Sequence, residues 1–192
     1  MSNFYAIKYT DYRYMLLSLD ALDIIENAPE GIGLQFDDIM RFSKRDTRFE
    51  SWWEAPETTF TPNEGIKEHI VPDVVIWQAG AALVLSAKAY RLLGDILKPL
   101  GELLPVTIMD EPQSYWIFNC LARKDADPSK SAWEYLGDKP VRLKMVGFSV
   151  ADDDPVIFKT DFDNSSFLYC GERFKAVVEQ FGLGGVTFAL LE

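Results

Sequence analysis

Apolar residues are concentrated near the start of the chain, where the first strand is predicted. The stretch NFYAIKY, residues 3–9, combines aromatic and β-branched residues in a way that is typical of a strand. The next apolar stretch, YMLLSLD at 14–20, is too short for its periodicity to separate a strand from a short helix. Pro, Gly, Asn and Thr recur through residues 27–65, which favours loops and short strands there.

The pattern becomes regular from residue 70 onwards. A run of β-branched residues at 74–76 predicts a buried strand, and AALVLS then leads to Ser86, a residue type favoured at a helix N-cap. Apolar residues follow at the spacing of one helix face, and Pro99 predicts the end of this helix. The residues of that face are Ala89, Leu93, Ile96 and Leu100.

Four further strands are predicted between the two helices of the chain. GELLPVTIM (101–109) and SYWIFNCLA (114–122) are expected to pair around the turn DEPQ (110–113). VRLKMVGFSV (141–150) alternates apolar and basic residues, which predicts a half-buried strand, and PVIFKT (155–160) predicts a short one. The residues on the predicted inner side of 141–150 are Val141, Leu143 and Met145.

The C-terminal stretch predicts a helix that leads into a last strand. Its apolar residues have helical spacing, Gly182 suits a left-handed position after the helix, and VTFALLE (186–192) reads as a strand. The helix face consists of Phe174, Val177, Val178 and Phe181. Together the elements predict an α+β fold, with a mostly antiparallel sheet covered by at least two helices. Residues 70–192 form its predicted core, and residues 1–69 are expected to be strands and loops of the same domain or of a small subdomain.

Composition and charge narrow the choice of partners. The 192-residue chain is 48% hydrophobic, which suffices for a sizeable core, and its formal net charge is −11. This acidity disfavours direct contact with nucleic acid and favours a basic protein partner. The sequence shows neither a signal peptide nor the ~20 apolar residues of a membrane span, so we expect a cytoplasmic protein without membrane contact. The sequence is also compatible with a homo-oligomer.

Few side chains are suited to catalysis or metal binding. The chain has one histidine, His69, and two isolated cysteines, Cys120 and Cys170, which we expect to be packed thiols. These cannot form a usual zinc site, and phosphate-binding loop spacings are absent, so no metal and no cofactor are predicted. The acids in DDDP (152–155) and DFDN (161–164) lack the calcium-loop pattern and are interpreted as solvated turn residues.

Two polar stretches are candidates for a binding role. In SWWEAPE, neighbouring Trp52 and Trp53 cannot both point inward from a strand, so either one is exposed at an interface or a loop buries both. KDADPSKSAW (124–133) is interpreted as a structured loop after a strand. Within it, Asp125 or Asp127 is expected to accept backbone N–H groups, and so is Ser131.

Several stretches of residues 70–191 are similar to a known family. They are LVLSAKAYRLLGDI, GELLPVTI, YWIFNCLARKDADPSKSAW and PVIFKTDFDNSSFLYCGERFKAVVEQFGLGGVTF. Their order resembles that of immunity proteins of bacterial polymorphic-toxin systems, in particular a family first classified as a domain of unknown function. Five residues fall on the family's pattern: Asp125, Asp127, Ser131, Phe174 and Gly185.

The resemblance implies a non-enzymatic protein that binds and blocks a cognate secreted toxin. The negative charge of this chain favours a toxin with a basic surface. Two alternatives remain open: a small cytoplasmic hydrolase that uses Cys120 or acid residues with His69, and a regulatory binding module without catalysis. The predicted contact residues are aromatic or acidic: Trp52, Trp53, Glu54, Glu57, Asp110, Glu111, Asp125, Asp127, Asp152, Asp153, Asp154, Asp161 and Asp163.

Overall fold

The computed structural model describes residues 3–77, 82–109, 111–151 and 155–191. Four of the predicted contact residues, Asp110 and the acids at 152–154, therefore lie outside the described residues. The strands are β1 Phe4–Tyr9, β2 Leu16–Leu17, β3 Glu57–Thr58, β4 Phe60–Thr61, β5 Val74–Trp77, β6 Ala82–Ser86, β7 Gly101–Ile108, β8 Tyr115–Cys120, β9 Ala132–Leu136, β10 Lys139–Met145, β11 Ile157–Phe158, β12 Tyr169–Gly171 and β13 Val186–Leu190. The helices are α1 Ala21–Asn27, α2 Phe36–Met40, α3 Phe42–Arg45, α4 Ala87–Leu97 and α5 Glu172–Gln180.

A five-stranded sheet forms the centre of the molecule, in the order β3-β7-β8-β6-β5. Neighbouring strands within this sheet are antiparallel, except that β3 pairs with β7 in parallel. The predicted pairing of 101–109 with 114–122 is confirmed, since Leu103 lies opposite Phe118. The predicted α+β class, with mostly antiparallel sheets, is confirmed as well. None of the helices in the described ranges is long and apolar enough to cross a membrane.

A second sheet brings the two ends of the chain together, in the order β11-β12-β1-β13. Its strands are all antiparallel, and β1 lies between β12 and β13. The carbonyl oxygen of Gly184 accepts hydrogen bonds from the backbone N–H groups of Asp73 and Val74, which joins this sheet to β5. A Cβ on Gly185 would lie 2.0 Å from the Val74 oxygen, and φ there is 121°, so only glycine fits. The division predicted at residue 69 stays a prediction, although β1 pairs with strands from the C-terminal third.

Helices α4 and α5 cover one face shared by the two sheets. The Ser86 side chain accepts a hydrogen bond from the N–H of Ala89, which confirms the predicted N-cap of α4. Gly182 follows α5 with φ of 57°, and the N–H of Leu183 bonds to the carbonyl of Val178, as predicted for this helix end. Phe181, which was predicted on the buried face, is 45% exposed because the helix has already ended there.

The opposite face of the central sheet is covered by α1, α2 and α3. Loops and short strands were predicted for residues 27–65, which contain α2 and α3, and no element was predicted at 21–26, where most of α1 lies. These helices are four to seven residues long, so their periodicity is too short to be recognised. Asp20 caps α1 by accepting the N–H groups of Leu22 and Asp23. Buried aromatic and aliphatic side chains from this region, among them Phe42 and Phe49, then pack against the sheet. Short helices of this kind depend on caps and tertiary packing.

The strands β9 and β10 form a separate hairpin. The prediction of a half-buried strand at 141–150 is therefore wrong in its burial. A strand is present at Lys139–Met145, but β9 is the one strand of the described ranges that pairs with it, and Val141 and Met145 are 55% and 42% exposed. The alternation of apolar and basic residues shows which side chains share a face; it does not show that another element covers that face. The predicted loop at 124–133 likewise ends at Ala132, where β9 begins.

Candidate functional site

The two cysteines lie in the core, as the sequence predicts. Cys120 and Cys170 are fully buried, and neither forms a disulfide. Loss of solvation raises the pKa of Cys120 to about 12 and raises the pKa of Cys170 as well. Both thiols are therefore protonated at neutral pH, which is the opposite of what a cysteine nucleophile needs.

The buried thiols predict a loss of stability in alkali. In the unfolded chain a thiol ionises above pH about 8.5, whereas Cys120 keeps its proton in the folded protein until pH about 12. The folded-state pKa is the higher one, so the contribution is complete below pH about 8.5 and is lost as the pH rises. We expect urea unfolding between pH 8.5 and 10 to show a fall in stability whose slope steepens toward about 1.4 kcal/mol per pH unit for each thiol. The double variant Cys120→Ala/Cys170→Ala should have a shallower slope, and an unchanged slope would contradict this assignment.

His69 is not placed as a partner for either thiol. It is exposed, in the segment that leads to Ile70, and its Nε2 lies 2.8 Å from the carbonyl oxygen of Ile66. Within the described part of the chain, no group of three or more His, Cys, Asp or Glu side chains is arranged to hold a metal ion. The described residues therefore offer no thiolate–imidazole pair.

The loop that contains Trp52 and Trp53 is fixed by a buried carboxyl group. Glu102 on β7 is 3% exposed and accepts hydrogen bonds from the backbone N–H groups of Phe49 and Glu50. Its second oxygen also accepts from the side-chain amide of Asn119, at 3.0 Å. Such a loop would otherwise leave N–H groups unpaired in the interior, so Glu102 determines where it docks.

Both tryptophans pack partly into the core, which decides between the two interpretations of SWWEAPE. The ring of Phe49 lies edge-on to Trp52 at 5.7 Å and tilted to Trp53 at 5.9 Å. The Nε1 of Trp53 donates to the carbonyl oxygen of Pro105 at 2.8 Å. Neither indole is fully buried or fully exposed, so a loop positions both rings, and each keeps part of its surface near solvent.

These rings line a surface groove of about 580 Å³, which we name the Trp groove. One wall is α1 and the residues before it, and the other is the loop that leads into β3. The groove is lined by Ser18, Leu19, Asp23, Ile24, Asn27, residues 52–59 and Met109. It thus brings together four of the predicted contact residues, while the sequence missed the contributions of α1 and Met109. The only local signal was the pair Asp20 and Asp23, spaced as a helix capping box.

The Trp groove is acidic. Among the described residues that line it are Asp23, Glu54 and Glu57 but no lysine or arginine. The side chain of Asp23 accepts the backbone N–H of Asp20 at 2.7 Å and so caps α1. Glu54 and Glu57 are exposed, and neither has a hydrogen bond or an ion pair with any described residue. Two carboxylates are therefore available to a ligand.

The remaining predicted acids lie away from the Trp groove and have different roles. Asp161 is exposed and forms an ion pair with Arg123. Asp163 is buried and accepts a hydrogen bond from the Tyr169 hydroxyl at 2.7 Å, so the interpretation of DFDN as solvated turn residues is wrong for Asp163. Burial also raises the pKa of Asp163. The Asp163 side chain therefore stabilises the interior and does not form part of a contact surface.

The loop at 124–133 is held by its own polar residues, as predicted. Asp127 accepts the backbone N–H of Ser129 at 2.9 Å, and Ser131 accepts that of Gly147 at 3.1 Å. Hydrogen bonds from Ser129 and Ser149 lower the pKa of Asp127 to about 2. Asp125 is exposed, and Glu111 is half-buried after β7. Asp127 stabilises its own loop, and none of these three acids is among the residues that line the Trp groove.

The β9–β10 hairpin is a second exposed surface, which the sequence did not reveal. Four large apolar side chains on it are exposed: Tyr135, Leu136, Val141 and Met145. The strand β10 also has three cations, Lys139, Arg142 and Lys144, so its charge differs in sign from that of the Trp groove. At its base, the Nε1 of Trp133 donates to the carbonyl of Phe162 at 3.0 Å.

The described residues therefore define an α+β protein with an acidic aromatic groove and a projecting apolar hairpin. Comparison with protein-family models gives no match, and comparison with curated proteins gives none. The resemblance to immunity proteins stays a prediction that rests on the residues quoted for it.

Proposed function

We propose that this protein is an immunity protein, which binds a cognate bacterial toxin through the Trp groove and blocks the toxin by contact. One observation supports this proposal above the others. The groove presents two partly exposed indoles next to two unpaired carboxylates, and the described part of its lining contains no cation. Aromatic side chains are the residues that most often dominate the energy of a protein interface.

The charge of the chain supports a basic partner. A formal net charge of −11 accelerates association with a basic surface and disfavours acidic ones. A toxin that acts on nucleic acid has a basic substrate-binding surface, since it must attract phosphates. An acidic groove that covers such a surface would exclude the substrate.

The Trp groove suits this partner better than the hairpin does. Lys139, Arg142 and Lys144 on β10 would repel a basic toxin, whereas Glu54 and Glu57 would attract it. The hydrolase alternative is not favoured by any observation here, because the Cys120 thiol is buried and protonated and His69 lies at the surface.

The test is co-expression with the product of the neighbouring gene. The wild-type protein should restore growth of a host that expresses the toxin, and the two proteins should co-purify. The variant Glu54→Lys/Glu57→Lys should bind about 100-fold more weakly, or about 2.7 kcal/mol, because two attractive charges become repulsive. Calorimetry on the purified pair measures this change.

A matched control separates the groove from overall charge. Glu30→Lys/Glu64→Lys changes the net charge by the same amount, and both of these exposed residues lie outside the Trp groove. It should keep affinity within about threefold of the wild type. Equal losses in both variants would assign the effect to net charge alone. If the neighbouring product is neither bound nor neutralised, the immunity role itself is wrong.

A further inference from the structure

We infer that the Trp groove is a receptor for one arginine side chain of the partner, with the guanidinium held between an indole and the carboxylates of Glu54 and Glu57. This inference deepens the proposed function and rests on it for the identity of the partner. The chemistry of the site is independent of that identity and can be tested without the toxin.

The groove has both groups that a guanidinium binds best. A guanidinium is planar, so it stacks on an aromatic ring and at the same time donates paired hydrogen bonds to a carboxylate. Trp52 and Trp53 supply the rings, and Glu54 and Glu57 follow them within five residues of chain. An ammonium group lacks the planar shape and the forked donors, so lysine would satisfy only the charge.

Glu54 and Glu57 are free for this task, whereas Asp23 is not. The carboxylate of Asp23 already accepts a backbone N–H at the start of α1. The two glutamates have no cation or hydrogen-bond donor among the described residues. Thr58 is buried, so the alternation of the strand directs its neighbour Glu57 away from the sheet and toward solvent.

The site is pre-organised, which lowers the entropy cost of binding. Trp53 is anchored through its Nε1 to Pro105, and Glu57 is held in register opposite Thr107 by the pairing of β3 with β7. Glu102 fixes the start of the loop. A volume of about 580 Å³ accommodates a side chain of this length together with part of the backbone that presents it.

The test uses the whole protein and small probes of matched shape. ¹⁵N-labelled protein is titrated with Nα-acetyl-arginine amide, with the citrulline analogue, which has nearly the same shape but no charge, and with the lysine analogue. The arginine probe should shift the indole signals of Trp52 and Trp53 and the backbone signals of 52–57, and Trp77, Trp116 and Trp133 should serve as internal controls. Citrulline should give no saturable shift, and lysine should bind roughly tenfold more weakly than arginine.

Substitution of the two carboxylates completes the test. Glu54→Gln/Glu57→Gln keeps the size of both side chains and should weaken the arginine probe by at least about tenfold, while Glu30→Gln/Glu64→Gln should not. Equal binding of citrulline or lysine, shifts spread over all five tryptophans, or no shift at all would overturn the inference. In those cases the toxin assay above can still succeed, so failure of the arginine site and failure of the immunity role are distinguishable.

Discussion

Replacing Glu102 with alanine is expected to lower the free energy of unfolding by about 3–5 kcal/mol, because three donors lose their acceptor at once and each buried unpaired donor costs about 1–3 kcal/mol. The donors are the backbone N–H groups of Phe49 and Glu50 and the side-chain amide of Asn119. Phe49 and Asn119 are almost completely buried, so water cannot replace the carboxyl group there. Urea unfolding followed by circular dichroism measures the change.

The variant Glu102→Gln is the matched control. It keeps one carbonyl oxygen for Phe49 and Glu50 but places a second amide against Asn119, so an intermediate loss of about 1–2 kcal/mol is expected. The alanine variant should also release the loop that forms the Trp groove, which would shift tryptophan emission to longer wavelength before global unfolding. Equal unfolding midpoints for the wild type and both variants would show that Glu102 does not hold the loop.

Replacing Asp46 with asparagine is expected to cost about 3 kcal/mol, the lower end of the range for breaking a buried ion pair. Lys159 is fully buried, and its Nζ lies 2.7 Å from Asp46, which also receives two hydrogen bonds from Arg123. Asp46 itself is partly exposed, which reduces the loss. Its φ is 52°, and asparagine tolerates this left-handed conformation, so the backbone is not strained by the change.

The reverse change, Lys159→Met, should be much milder, within about 1 kcal/mol of the wild type, since Arg123 continues to neutralise Asp46. The pH dependence gives a further check. Partial burial raises the pKa of Asp46, but the bonds from Arg123 and Lys159 outweigh it and leave the pKa below its ordinary value. The stabilisation from Asp46 is therefore present above pH about 4 and is lost as the pH falls through the folded-state pKa.

Thermal unfolding at pH 7 and pH 3 measures this difference between the wild type and Asp46→Asn. The difference between the two proteins should be smaller at pH 3 than at pH 7, because protonation begins to remove the charge of Asp46 and a protonated aspartate resembles asparagine in charge. A difference that stays constant between the two pH values would mean that the carboxylate charge of Asp46 does not stabilise the fold.

The long apolar elements could be predicted from sequence because their signals lie within a few neighbouring residues. The N-cap at Ser86, the helix end at Gly182 and the pairing of β7 with β8 follow from local spacing and turn chemistry, and the structure confirms them. The short helices α1 to α3 could not be predicted, since four to seven residues give too little periodicity. The exposure of β10 was also hidden, because alternation does not reveal whether anything covers a face.

The stretch GELLPVTI contains one local signal for the buried hydrogen bonds that Glu102 accepts. Glu102 occupies the same strand face as Leu104, Val106 and Ile108, which marks a carboxyl group at an inward position. The sequence does not show which donors meet it, since Phe49 lies 53 residues earlier in the chain. The same limit applies to Asp163, whose burial depends on Tyr169 and the packing of the second sheet.

The sequence by itself determined the α+β class, the long strands and helices, the strong negative charge and the proximity of Trp52 and Trp53 to Glu54 and Glu57. Only the tertiary structure decided which carboxylates are free. It placed α1 opposite the tryptophan loop, buried Glu102 and Asp163 as acceptors, and left Glu54 and Glu57 unpaired. The physical reason is the distance along the chain between the residues that interact. Helix caps and strand patterns depend on neighbours in the chain. Burial and hydrogen-bond partners depend on residues brought together by the folding of distant segments.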